Sequence, residues 1–159
     1  MDDDKRRRLE EKRQFMQRRN AAKDLRAEME PAISALEAAG ERYRVLGLGD
    51  VPRWSPDWIP EGCGRIPWDR LADAQFRKVD GREESAAAII ALLSQRLAPA
   101  DELLFIPSGK RWTLAMPRGV FSRHAMALLE CAWDAAYFAA PPASWVIQLD
   151  WSELWWKDA

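Results

Sequence analysis

One histidine, His124, and two cysteines, Cys63 and Cys131, are the chain's resources for nucleophilic chemistry. A thiol beside an imidazole can serve as a hydrolytic nucleophile. Cys63 stands in the turn-forming Gly62-Cys63-Gly64 and His124 follows Arg123 inside a helical pattern, so a Cys-His pair would need the fold to carry a loop onto a helix. Nothing in the sequence marks an oxyanion hole, and a lone helical histidine ordinarily makes a structural contact. The cysteines lack CxxC spacing, and with one histidine and scattered carboxylates they form no spaced metal-ligand set. The expectation is a protein with no catalytic residues, no metal site and no cofactor.

Phosphate-gripping loops fare no better. Pro107-Ser108-Gly109-Lys110-Arg111 puts a glycine before two cations, yet it lacks GxxxxGK[ST] spacing and leads into a strand-like run instead of a helix. It reads as the tip of a hairpin. Gly47-Leu48-Gly49 is too short for a dinucleotide fingerprint.

Two stretches speak of binding instead. The C-terminal Asp150-Trp151-Ser152-Glu153-Leu154-Trp155-Trp156-Lys157-Asp158 mixes carboxylates with indoles. Tryptophans anchor protein interfaces, and carboxylates suit the basic cleft of a nuclease or another cationic partner. Either the rings face a partner or Trp155 or Trp156 folds back over the core, since neighbouring strand residues point to opposite faces. The N-terminal stretch is the other one. Between residues 5 and 26, ten cations (Lys5, Arg6, Arg7, Arg8, Lys12, Arg13, Arg18, Arg19, Lys23 and Arg26) outnumber Glu10, Glu11 and Asp24. Such a helix either binds phosphates or is a solvated rod laced by its own ion pairs.

Elements to position these residues follow from periodicity. Residues 2–30 contain neither Gly nor Pro and are nearly all good helix formers, which predicts a long charged helix. Its apolar residues become regular only at Leu25, Met29, Ile33 and Leu36, a face for a core or for a helical dimer. Pro31 predicts a kink or a second helix, and Gly40 a stop. Residues 43–48 can form a short strand. Residues 51–67 form a Pro/Trp-rich loop whose Trp54, Trp58 and Ile59 either pack on the core or present themselves to a ligand. Helical spacing marks 68–79, 84–97 and 117–133, the last with Val120, Phe121, Met126, Leu128, Leu129 and Ala132 on one side. Apolar runs at 102–106 and 112–116 make one hairpin, and 135–140 with 145–151 a second. In the last run Trp145, Ile147, Leu149 and Trp151 alternate with Val146, Gln148 and Asp150, the pattern of a strand with one face buried.

The sum is an α+β fold, an antiparallel sheet of about four strands with helices on one face. A charged helical arm at 1–40 precedes a single domain at 41–159. Of the nine tryptophans, five follow residue 130; each large ring needs a partner for its indole N–H, which places several of them at edges, grooves or partner surfaces. The start lacks the apolar run of a secretory signal and no stretch reaches a membrane-span length of ~20 residues, so a cytoplasmic, membrane-free location is expected.

From about Trp68 onward this layout resembles small bacterial families of the toxin-immunity class. The correspondence runs through residues 103–106, 112–114, Val120-Phe121, Ala136-Tyr137-Phe138 and Ser144-Trp145-Val146-Ile147. The resemblance implies a non-enzymatic protein that binds and neutralises a cognate toxin, with Trp151, Glu153, Trp155, Trp156 and Asp158 as its candidate contacts. The alternative is a nucleic-acid-associated accessory protein using Arg6, Arg7, Arg8, Arg13, Arg18 and Arg19.

Overall fold

A computed structural model describes residues 3–47, 56–58, 66–132 and 135–158. Helix α1 runs Asp3–Ala38 as one helix with Pro31 inside it, and Gly40 follows its end at φ +67°. The Gly40 and Glu41 N–H groups donate to the carbonyls of Glu37 and Leu36, satisfying acceptors the helix leaves open. Strand β1 (Arg44–Gly47) follows, then, beyond a 3₁₀ turn at Trp68–Arg70, strand β2 (Gln75–Lys78). Helix α2 (Gly81–Ser94) starts on a glycine at φ +74°, with the Glu84 carboxylate accepting the Asp80 N–H at 2.9 Å. The hairpin β3 (Glu102–Pro107) and β4 (Trp112–Pro117) turns through Gly109 at φ +70°. Helix α3 (Arg118–Cys131), β5 (Ala135–Ala139), β6 (Val146–Asp150) and β7 (Glu153–Lys157) complete the chain.

The seven strands among the described residues join one antiparallel sheet in the order β1-β4-β3-β5-β6-β7-β2. The α+β class and the helical N-terminus therefore hold, while the strand number exceeds the four expected. The three added strands are β1, β7 and β2, and only β2, residues 75–78, stands where a helix was expected. Their apolar residues fit a helix, but Asp73 enters the left-handed region at φ +63° and breaks it. The open edge of β7 then offers a ladder of hydrogen bonds that 75–78 takes up, register Phe76 to Trp155. Local propensity loses to a tertiary partner. At the C-terminus, 145–151 does not run on as one strand: it turns at Trp151 and returns as β7.

One face of the sheet bears the main core. Met29, Ala32, Ile33 and Leu36 of α1, Ile89 and Leu93 of α2, and Val120, Phe121, Leu128 and Leu129 of α3 pack on Leu103, Phe105, Trp112, Leu114, Phe138 and Ile147. Phe105, Phe121 and Phe138 form its centre, ring centroids 5.2–6.0 Å apart. The stripe Leu25, Met29, Ile33, Leu36 is thus spent inside its own domain, which removes the helical-dimer reading. Helix α3 kinks at His124 (φ −118°, ψ 15°). Met126, expected on the buried side of α3, is exposed: at about 100° per residue it stands more than roughly 100° from the centre of the buried Phe121, Ala125, Leu128 and Leu129 face.

The opposite face is covered as well. Ile66, Trp68 and Val146 form a second cluster joined by Trp58, Leu71, Ala74, Tyr137 and Trp155. The Trp68 indole N–H donates to the Gln148 side-chain oxygen at 2.6 Å, and that of Trp58 to the Ser144 carbonyl at 2.7 Å. Consequently Val146 and Gln148, the polar-side positions of an expected one-faced strand, are buried. Trp58 packs, as one of the two sequence readings allowed. Trp54, Ile59 and Cys63 lie outside the described residues.

Candidate functional site

The hairpin β6–β7 closes through two residues, Trp151 and Ser152, between the paired Asp150 and Glu153. Two-residue hairpin turns demand left-handed backbone, so Asn or Gly usually occupies them. Here Trp151 takes φ +52° and is 68% exposed. A left-handed conformation costs an ordinary residue roughly 1–2 kcal/mol. The turn is held in place by the Val79 N–H, which donates to the Ser152 carbonyl at 2.9 Å.

Concavities flank this tip. Towards the helices, a cavity of about 190 Å³ is lined by Gly81, Arg82, Ser85, Leu129, Leu149 and Trp151. Arg82 donates to the Leu129 carbonyl and Ser85 to that of Gly81, fixing its polar wall. On the opposite face a groove of about 440 Å³ runs between Pro67, Trp68, Asp69, Arg70, Asp150, Glu153 and Trp155. Its floor is the stacked pair Trp68 and Trp155, centroids 6.1 Å apart and 17° from parallel, and the Phe76 ring centroid lies 4.5 Å from that of Trp155. Among the described residues the carboxylates of Asp69, Asp150 and Glu153 and the guanidinium of Arg70 line it, an anionic rim over an aromatic floor. That combination suits a Lys or Arg side chain, by charge and by cation–π contact.

The five C-terminal residues singled out in the sequence do not share one surface. Trp151 stands exposed at the tip. Glu153 and Trp155 lie on the groove face, where the Trp155 N–H reaches Glu153 Oε2 at 3.3 Å. Trp156 points to the helix face and packs against the main core. Asp158 is held by Arg96 in a two-point ion pair, 2.8 Å to each oxygen. Both neighbouring rings, Trp155 and Trp156, are half-buried on opposite sides, which one covered face would forbid and two allow. Sequence reading missed Trp68, Asp69 and Arg70 as groove residues because 68–79 scores as a helix. Trp68, Leu71, Ala72 and Phe76 keep helical spacing, so nothing within the run signals the break.

His124 sits elsewhere. Its Nε2 lies 3.0 Å from Glu41 Oε1, and Arg123 donates to both oxygens of the same carboxylate at 2.9 Å. The Arg123 hydrogen bonds, then that of His124, lower Glu41 from the usual 4.5 to about 2. This trio ties the end of α1 to the kink of α3 and occupies the imidazole. Burial pushes the Cys131 thiol up, the opposite of an activated nucleophile, and Cys63 is outside the described residues. Among the described residues no group of three His, Cys, Asp or Glu side chains could hold a metal ion. No helix among them is long and apolar enough to cross a membrane. At the 108–111 turn, Arg111 pairs with Glu28 of α1 at 2.6 Å, as befits a hairpin tip.

The N-terminal part of α1 has no packing support: every residue from 4 to 24 is exposed. Arg7 lies 3.5 Å from Asp4 and 3.9 Å from Glu11. Among the described residues, Lys5, Arg6, Arg8, Lys12, Arg13, Arg18, Arg19 and Lys23 have no ion-pair partner. Intrahelical pairing therefore accounts for little of this charge.

Comparison with protein families, curated proteins and solved structures gives no match.

Proposed function

We propose that the protein acts by binding, as an immunity-type protein that neutralises a toxin domain by gripping it at the β6–β7 tip. Trp151 carries the reading: a large ring held in solvent, at a backbone position where it costs stability, is better explained by a partner than by the fold. The adjacent groove adds charge selectivity. Asp69, Asp150 and Glu153 above Trp68 and Trp155 suit a basic loop, such as the phosphate-binding surface of a nuclease toxin. Interface tryptophans are typical energetic anchors. The protein would meet such a toxin in the bacterial cytoplasm.

The test is co-expression with the toxin domain encoded beside the gene, followed by titration calorimetry of the purified pair. The wild-type chain should protect growth and form a tight complex. Trp151→Ala should weaken the complex by about 30-fold or more, the ~2 kcal/mol expected of an anchor, with little change in stability because lost contacts and relieved backbone strain oppose each other. Asp69→Lys should weaken it further. Absence of protection and of a complex would overturn the proposal, as would a complex indifferent to Trp151→Ala.

A further inference from the structure

The exposed part of α1 is separate from the hairpin tip and carries its own message. At about 100° per residue, Lys5, Arg8, Lys12, Arg19 and Lys23 fall within roughly 60° of one another around the helix. Their intervals of three, four, seven and four place them in one row. All five are exposed and, among the described residues, unpaired. The acids of this segment, Asp4, Glu10, Glu11 and Asp24, sit roughly 75° or more from the centre of the row. So do the remaining cations: Arg6, Arg7, Arg13 and Arg18 lie beyond roughly 100°. The helix therefore has one acid-free cationic edge, about 27 Å long from Lys5 to Lys23 at 1.5 Å per residue.

We infer that this edge docks on the sugar-phosphate backbone of a nucleic-acid duplex. A straight rod with charges along one side matches a linear array of phosphates, whose charges the cations would neutralise with release of counterions. Single-strand binding needs a series of stacking rings, and the segment has only Phe15. An anionic membrane needs a continuous apolar face, whereas of the exposed Leu9, Phe15 and Met16 the phenyl ring lies about 120° from Leu9. The six arginines named from sequence are thereby sorted: Arg8 and Arg19 belong to the binding edge, and Arg6, Arg7, Arg13 and Arg18 do not.

Equal numbers of charges can be removed from the two sides. The full-length chain with Lys12→Gln, Arg19→Gln and Lys23→Gln is compared with the chain carrying Arg6→Gln, Arg13→Gln and Arg18→Gln. Glutamine keeps helix propensity, and far-UV circular dichroism checks the helix in both. Affinity is read by fluorescence anisotropy on labelled 30-base-pair DNA and RNA duplexes from 50 to 200 mM salt, and by co-sedimentation with phosphatidylserine-containing vesicles. With five phosphates neutralised, log K should fall against log salt with a slope near −4.5, a loss of about 500-fold over that range. The edge triple should reduce the slope by about 2.7 on whichever duplex binds, and the other triple by less than about 1. Binding to neither duplex, binding to vesicles alone, or equal losses from the two triples would overturn the inference.

Discussion

The contact that seals the second face of the sheet is the Trp68–Gln148 hydrogen bond, and its removal can be worked through. Trp68 and Gln148 are 6% and 3% exposed, and the N–H to O distance is 2.6 Å. Gln148→Leu keeps the volume close to that of glutamine but leaves a buried indole N–H with nothing to bond, a cost of about 1–3 kcal/mol. In a chain of this length each kcal/mol shifts Tm by about 2–4 °C. A loss of about 2 kcal/mol thus lowers Tm by about 4–8 °C. Trp68→Phe removes the donor, and the carbonyl oxygen of Gln148 is stranded in turn. Combining the two takes away both polar partners, so the double variant should be more stable than the sum of the single losses by about 1–2 kcal/mol. Urea unfolding of the four proteins, with m-values compared to confirm that the native state is equally compact, reads this coupling. A coupling energy below about 0.3 kcal/mol would refute the reasoning. It would mean that the indole reaches water when its partner is lost, and that the 66–71 segment is only loosely laid on the sheet. The groove beside Trp155 would then be no fixed surface.

Two further outcomes follow from the packing and the ion pairs. Glu41 is depressed to about 2 from 4.5 by Arg123 and then His124, so its contribution is complete above about 4.5 and is lost as pH falls towards about 2. Glu41→Gln should therefore flatten the fall in Tm across that window in a pH series, and a variant with the wild-type acid limb would contradict the pairing. Along α1, Ile33 is fully buried and Leu9 is 48% exposed. Ile33→Ala should cost about 2–5 kcal/mol and Leu9→Ala no more than about 0.5 kcal/mol by chemical denaturation; similar losses would show that the N-terminal turns are packed after all.

Much of the architecture was legible because short-range physics decides it. The stripe Met29, Ile33, Leu36 and the stop at Gly40 follow from helical spacing and from backbone freedom at glycine. The two hairpins around Gly109 and residues 141–144 follow from apolar runs broken by turn residues. The basic edge of α1 is equally local, since the angle between its residues depends only on the helix being a helix.

Tertiary structure decided what local pattern cannot express. Residues 75–78 became a strand because β7 presented an unpaired edge, and no window of sequence around Phe76 contains that edge. The sheet gained cover on both faces because Trp58 and Trp68 reach across more than seventy residues to Ser144 and Gln148, which is why Trp155 and Trp156 can both be sheltered. Trp151 looked like one more inward position of an alternating strand and is instead the exposed tip of a turn. Alternation tells which side of a strand a residue occupies; where the strand stops is set by the partner it must fold back upon, and that information lies in the assembled sheet.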